Sequence, residues 1–308
     1  MMRAQAFSGS PILSDQTAQP AASAAVVHLA LPKGRMQDNV LKLLGDAGIR
    51  LNFDRRGYRP TLSLPGFETK LLKPQNIVEM LHVGSRDVGF AGADWVAEKE
   101  VELVELLDTG LDQVRIVGAC EPSFLEDGRP RPGPFLVATE YERLTRRWLE
   151  REGLEGRVVR TYGATEVFPP EDADCIVDNT STGATLKANG LTIFAELLRS
   201  STRMYAHPKS LDDPAKREVI EHLVLLVRSV LDARKRVMVE INVPPEALET
   251  LVGILPSMRY PTVSPLHAGT GFAVKAAVPR DGLPTLIAQI KAAGGTDIVV
   301  FDIAQIVP

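Results

Sequence analysis

The chain has little of several things, and each shortage excludes a class of protein. Two cysteines, Cys120 and Cys175, stand among 308 residues. That is too few for a disulfide framework and gives no metal-ligand spacing, so the thiols fit a reducing cytoplasm. No apolar run approaches the roughly 18–20 residues needed to cross a bilayer. Neither charge dominates: 35 Lys and Arg against 39 Asp and Glu leave a formal net charge of -4. A general nucleic-acid or membrane-surface binder would carry a basic excess. Any anionic ligand must therefore be held by a local site. The five histidines (His28, His82, His207, His222 and His267) show no metal or triad spacing. The first 25 residues lack a charged start followed by an apolar block, so they do not read as a secretory signal. Their Ala, Ser, Gln and Pro content predicts a disordered tail over 1–25, with folded sequence from Val26.

What is present is ordinary globular material, 44% hydrophobic and 24% charged, in a length that suits two or three units. From Val26 short β-rich runs alternate with amphipathic stretches. VVHLAL (26–31) predicts a strand, and Asp38 to Ala47 a helix with Val40, Leu41, Leu43 and Leu44 on one side. TLSLPGFETKLL resembles a hairpin folded at Pro65-Gly66. Gln75 to Val83 predicts a helix and VGFAG (88–92) a buried strand, with Asp94 at a helix N-cap position before WVAEKE. VELVELLD (101–108) and VRIVGAC (114–120) follow, then a polar, Pro-rich loop at 121–134. A second series contains FLVAT, the helix YERLTRRWLEREG, VVRTY and DCIVD.

Two such series imply parallel sheets covered by helices, in two lobes with a cleft between them. Ligands in open α/β sheets lie beyond the carboxyl ends of strands, where each lobe meets the cleft. After a helix from Asp213 to about Arg234, the rhythm changes to strand, helix, strand, strand, helix, strand. That order is the ferredoxin-like βαββαβ motif, in a separate domain of about seventy residues.

The segment DADCIVDNTSTGATLKANGL (172–191) carries the chemistry. A buried strand ends in Asp178, and a loop of hydroxyl residues and Gly183 opens a helix near Thr185. Short preorganised donors and a helix N-terminus are what a phosphate monoester needs. No Gly-Lys-Ser/Thr follows, so the loop is not a triphosphate cradle of the Walker type. Loop composition alone fits a hydroxyl-rich helix cap equally well. The acid just before a Thr-Gly-x-Thr turn favours a ligand, because a carboxylate there can accept from ribose hydroxyls.

These residues resemble the phosphoribosyl pyrophosphate loop of the ATP phosphoribosyltransferases, and other segments resemble that family in the same order. They are LALPKGRM (29–36), KPQNIVEML with VGFAGADWVAE (73–98), ATEYERLTRRWLE (138–150), PTVSPL (261–266) and IKAAGGTDIVVFDI (290–303). The chain departs from the family at Asn179-Thr180, which replaces an apolar pair, and at Ser201-Thr202-Arg203, FPPEDAD (168–174) and the long 121–134 loop.

The resemblance implies a two-lobed, periplasmic-binding-protein-like α/β catalytic region and a C-terminal ACT-like regulatory domain. Lobe I would comprise 26–112 and 204–234, lobe II 113–203, and the regulatory domain 235–308. The reaction implied is transfer of the phosphoribosyl group from phosphoribosyl pyrophosphate to ATP, with loss of pyrophosphate, at the first step of histidine biosynthesis. Mg²⁺ would be held chiefly through substrate oxygens. Thr180, Ser181, Thr182, Gly183, Ala184 and Thr185 would hold the ribose 5-phosphate, and Asp178 and Asp174 would face the ribose. Lys33 and Arg35 would meet the phosphates across the cleft, with a solvated basic turn as the alternative. Asp94 is a cleft residue or a helix cap, Glu166 a ribose contact or a surface acid, and Arg115 a cleft residue or half of a surface pair.

Histidine would inhibit by feedback, near Asn242, Tyr260 and Thr262, which otherwise are turn residues. The implied assembly is a homo-oligomer, dimeric when active and hexameric when inhibited, needing no separate regulatory subunit. Two other classes fit the lobes. Solute-binding proteins and regulator effector domains bind anions without catalysis, and a phosphoribosyltransferase for another base usually carries two adjacent acids where this chain has Asp178-Asn179.

Overall fold

A computed structural model of the chain describes residues 25–53 and 57–307; most of the tail expected at 1–25 lies outside these. Lobe I opens with β1 (Val27–Pro32), α1 (Gln37–Asp46), β2 (Leu51–Asn52), β3 (Thr61–Leu62) and β4 (Phe67–Leu72). It continues through α2 (Pro74–His82), β5 (Val88–Gly92) and α3 (Ala93–Lys99) into the long β6 (Val104–Cys120). Lobe II contains β7 (Leu125–Glu126), β8 (Arg129–Pro130), β9 (Phe135–Thr139), α4 (Glu142–Glu152) and β10 (Gly156–Arg160). Then come β11 (Cys175–Thr180), α5 (Ala184–Ala188) and a second long strand, β12 (Thr192–Ala206). Helices α6 (Pro208–Asp212) and α7 (Pro214–Arg234) return to lobe I.

One eight-stranded sheet runs through both lobes in the order β10-β9-β11-β6-β12-β5-β1-β4. Its outer strands are parallel, as the βα alternation predicts, but β6 and β12 are antiparallel to each other and to their neighbours. One end of the β6–β12 ribbon lies against β5 (Thr202 opposite Gly92), and the other against β11 (Thr180 opposite Arg115). The two lobes are thus joined by paired strands. The runs at 101–108 and 114–120 form one strand from Val104, and register shifts along β12 interrupt the alternation that would have marked it in the sequence.

The residues of each element explain its place. Val40, Leu43 and Leu44 give α1 one buried face, and Ile220, Leu223, Val227 and Val230 do the same for α7. Both faces enter a core with Leu29, Leu31 and Phe90. Asp213 caps α7 by accepting from the N–H groups of Ala215 and Lys216 at 2.9 and 3.3 Å. Behind this core Asp87 is buried and accepts from the His28 N–H, Ser210 Oγ and Lys216 Nζ, each at 2.7 Å. Burial alone would raise its pKa, yet these donors outweigh it and hold the carboxylate below its ordinary range.

Two sequence expectations are corrected here. Residues 61–72 are not a hairpin: β3 pairs with β2, and β4 joins β1 in parallel, Val27 opposite Phe67. Gly66 (φ +88°) turns the chain, and its carbonyl accepts from Val27 N–H, so the apolar run of β4 finds its partner in the central sheet. Within 121–134, β7 and β8 form a small hairpin about Asp127-Gly128, both at positive φ, the two-residue turn that an Asp-Gly pair favours.

The C-terminal domain has β13 (Arg236–Val243), α8 (Leu248–Ile254), β14 (Thr262–Pro265), β15 (Phe272–Pro279), α9 (Leu283–Ala292) and β16 (Thr296–Asp302). Its antiparallel sheet is ordered β14-β15-β13-β16, the ferredoxin-like arrangement expected from the βαββαβ rhythm. Val237, Val239, Ile241 and Val243 alternate inward from β13 onto Leu251, Leu286 and Ile290 of the helices.

Asp87→Ala leaves three donors without their acceptor. It should lower the unfolding free energy by about 2–4 kcal/mol, measured by equilibrium urea denaturation. A change below about 0.5 kcal/mol would show that water replaces the carboxylate.

Candidate functional site

The loop between β11 and α5 walls a cavity of about 320 Å³ in the cleft. Asp178, Thr180, Ser181, Thr182, Ala184 and Thr185 line it, with Glu166 from the turn at Thr165–Val167. Arg35 closes it from the opposite lobe. Gly183 allows the turn, since it sits at φ +81°, where a side chain would strain the backbone. Its N–H donates to Thr180 Oγ1 at 2.9 Å, and the Ala184 N–H donates to Thr182 Oγ1 at 3.3 Å. The helix expected to aim its dipole here is only the five-residue α5. What the loop can offer an anion is therefore hydroxyl and main-chain donors more than a macrodipole.

Asp178 contributes its carboxyl group to the wall of this cavity. Burial pushes its pKa up to about 6, and the nearby carboxylates of Glu140 and Glu166 add to the rise. The Asn179 N–H, donating at 2.7 Å, and the charge of Arg35 act the other way. Asp174, expected beside it, lies at the far end of β11. Its carboxylate accepts from the Leu136 N–H at 2.7 Å, joining β9 to β11, and does not line the cleft. Four residues of extended strand separate the two acids by about 13 Å.

A second cavity of about 170 Å³ lies between the lobes and is lined by Lys33, Arg35, Asp94, Trp95, Tyr141 and Asn179, among others. Lys33 Nζ sits 4.1 Å from the centre of the Tyr58 ring. Asp94 is not the N-cap of α3; Gly92 holds that position, with no side-chain cap. Asp94 lies in the first turn and is buried. Oδ1 accepts from Ser200 Oγ at 2.6 Å and Oδ2 from Tyr141 Oη at 2.8 Å. Burial, then the charge of Asp94, keep the Tyr141 pKa well above its ordinary value, so it stays a donor. Asn179 Nδ2 donates to Tyr141 Oη at 3.2 Å, and Arg35 Nη1 donates to Asn179 Oδ1 at 3.3 Å.

Glu98, one turn after Asp94, accepts from the N–H groups of Arg143 and Leu144, so α3 of lobe I caps α4 of lobe II. Trp95 stacks on Tyr141, ring centroids 4.8 Å apart. Sequence reasoning missed Tyr141 and Ser200 as site residues. Tyr141 had a signal in its position between FLVAT and the helix, whereas Ser200 is 106 residues from its partner and had none.

Arg115 lines a neighbouring cavity with Ser181 and pairs with Glu196 at 3.4 Å. In the C-terminal domain, Tyr260 (97% exposed) and Thr262 share a cavity with Arg259 and Lys275. Asn242 does not join them; it points across β16 and donates to Asp297 at 3.1 Å. Among the described residues no group of three or more His, Cys, Asp or Glu side chains could cage a metal, and no helix is long and apolar enough to cross a membrane.

Two α/β lobes on a shared sheet, with a hydroxyl-and-glycine loop facing the basic side chains of Lys33 and Arg35 across the cleft, define a two-lobed α/β protein with a polar cleft between its lobes. Comparison makes the class specific. A family model described as ATP phosphoribosyltransferase matches residues 73–229, and the model of its C-terminal domain matches 233–305. The ATP phosphoribosyltransferase of Pelotomaculum thermopropionicum is 35% identical over 288 residues, covering 92% of this chain and 99% of that protein. That of Chlorobium phaeovibrioides is also 35% identical, covering 92% and 98%. A solved structure of the ATP phosphoribosyl transferase (HisG:HisZ) complex from Thermotoga maritima aligns with a TM-score of 0.58 at 28% identity. It covers 66% of this chain and 99% of that one. The chain belongs to the ATP phosphoribosyltransferase family, and it is a phosphoribosyltransferase.

An Asp whose pKa rises on folding, from about 3.9 to about 6, keeps its proton in the folded state across a window in which the unfolded chain has lost it. Stability therefore falls as pH rises through pH 4–6, and the full cost is present above that. Asp178→Asn should unfold later than the parent protein at pH 8, by up to about 2–3 kcal/mol, and no later at pH 3.5. Thermal denaturation at the two pH values checks this; an equal gain at both would exclude ionisation as its source.

Proposed function

We propose that this protein transfers the phosphoribosyl group of phosphoribosyl pyrophosphate to ATP, releasing pyrophosphate, and that histidine inhibits it. The observation that carries the reading is the cavity in which Asp178 and the Thr180–Thr185 loop face Arg35 of the other lobe. A ribose 5-phosphate fits the loop, where Ser181, Thr182 and Thr185 offer exposed hydroxyls. The adjoining Asp178, with Glu166 across the cavity, suits the ribose hydroxyls and the positive charge that develops at the anomeric carbon. Lys33 and Arg35 are the basic groups on the facing side, suited to pyrophosphate or to the phosphates of ATP. The lobes are taken as 26–112 with 204–234, and 113–203.

An adenine ring nitrogen gives its lone pair to the anomeric carbon as the carbon–oxygen bond breaks and its pair leaves with pyrophosphate. No enzyme nucleophile is needed; positioning and electrostatic stabilisation lower the barrier. The carboxyl groups of Asp178, Glu166 and Glu140 lie near one another here, which suits a cation that arrives with the substrate. Mg²⁺ bound through substrate oxygens needs few protein ligands, and Asp178 and Glu166 would hold its water shell. When bound, it neutralises charge on the leaving pyrophosphate.

The C-terminal family match and the cavity beside Tyr260 and Thr262 support amino-acid feedback within this chain, in a homo-oligomer, without a separate regulatory subunit. Two buried free cysteines suit a cytoplasmic setting.

Purified protein with ATP, phosphoribosyl pyrophosphate, Mg²⁺ and pyrophosphatase should form an adduct followed by absorbance, and histidine should suppress it. Absence of the adduct would refute the reading. Thr182→Val and Thr185→Val should each raise KM for phosphoribosyl pyrophosphate about tenfold or more while moving KM for ATP little, the loss of one hydrogen bond to a charged group. Steady-state kinetics with each substrate varied in turn distinguishes this from a general loss of activity.

A further inference from the structure

Arg35 and Asn179 are the two residues that line both the loop cavity and the interlobe cavity. Any atom passed between ligands in these two spaces is passed beside them. The Asn179 amide is held in one orientation. Nδ2 carries two hydrogens, and both are used, one on Tyr141 Oη and one on Asp178 Oδ1, each at 3.2 Å. The Asp178 carboxylate, also held by the Asn179 N–H, repels an oxygen, so the amide cannot flip without a clash of acceptors. Oδ1 is thereby turned to the junction, where its partner is Arg35 at 3.3 Å. That contact is long for a charge-assisted hydrogen bond, and both ends are accessible. A polyphosphate offers the guanidinium far better acceptors, and once Arg35 turns to it a fixed, neutral acceptor remains at the junction.

We propose that Asn179 Oδ1 accepts from the exocyclic amine of the attacking base and so selects a 6-aminopurine. The inference rests on the reading above, with the donor in the loop cavity and the nucleotide in the interlobe cavity. When the ring nitrogen beside the amine bonds to the anomeric carbon, the bond to pyrophosphate breaks and its electron pair leaves with that group. The base becomes an amidinium, with positive charge shared by the exocyclic nitrogen. An acceptor on that amine gains strength as the charge develops, which is selective stabilisation of the transition state. A 6-oxo base would set its oxygen against Oδ1, two acceptors face to face. A carboxylate in this position would hold Arg35 more tightly and repel Asp178.

The test compares ATP with purine riboside triphosphate, which keeps the ring nitrogen but carries hydrogen in place of the amine. The probes are the parent protein and Asn179→Leu. In Asn179→Leu the kcat/KM preference for ATP over the analogue should shrink about 10–100-fold, almost all of it lost from ATP. A purely structural role would lower both nucleotides together. An unchanged preference in Asn179→Leu would overturn the proposal. If the parent protein forms no adduct with ATP, the underlying reading fails. The ratio of Kd values for the two nucleotides by calorimetry then decides: an equal ratio in parent and Asn179→Leu sinks the inference.

Discussion

The cleft depends on one buried carboxylate. Asp94 sits in the first turn of α3, out of water, and a charge there is tolerable only if its lone pairs are met. They are met by groups from distant parts of the chain, Ser200 on β12 and Tyr141 at the start of α4. Glu98, one turn later on the same face, accepts the first N–H groups of α4. Thus a single short helix of lobe I fixes the angle of lobe II through two acids. Gly92 is part of the same constraint, because a Cβ there would run into the Asp94 carboxylate. From Tyr141 the hydrogen bonds continue to Asn179 and Arg35, so the position of the Thr180–Thr185 loop is tied to the same helix.

That tie matters because the loop is weakly charged. A chain of net charge -4 draws in no polyanion by its overall field, and α5 is too short to supply a strong dipole. Neutral donors bind phosphate well only when they are preorganised. The positive charges, Lys33 and Arg35, stand on the opposite lobe, so their value depends on how far apart the lobes are held. Asp178 shows the cost of the arrangement: its carboxylate is partly desolvated beside two other acids, and its pKa of about 6 is raised strain in electrostatic form.

Legibility in the sequence followed range. The βαββαβ domain could be read because β13 alternates cleanly and each helix keeps one apolar face. The Asp178–Thr185 loop could be placed on the cleft because its residues are contiguous, and they line one cavity. Failures came where the partner was remote. Residues 61–72 looked like a hairpin because Pro65-Gly66 is a local turn signal, yet β4 gains more from six residues of parallel pairing with β1. The strand β12 left no clean pattern because register shifts break its alternation as it passes between lobes. Asp174 looked like a site residue by nearness in sequence, but strand geometry sends it to the other end of β11.

The sequence by itself determined the alternation of strands and helices in the lobes, the family and the separate C-terminal module, since each is written in local spacing: period, turn residues, or motifs in a fixed order. Only the tertiary structure decided that Asp94 is a keystone and not a cap, that Tyr141 and Ser200 serve it, and that Asn179 sits where two cavities meet. Those roles come from burial, which forces each polar group to find a partner wherever the fold brings one, and Ser200 is 106 residues away from the carboxylate it satisfies.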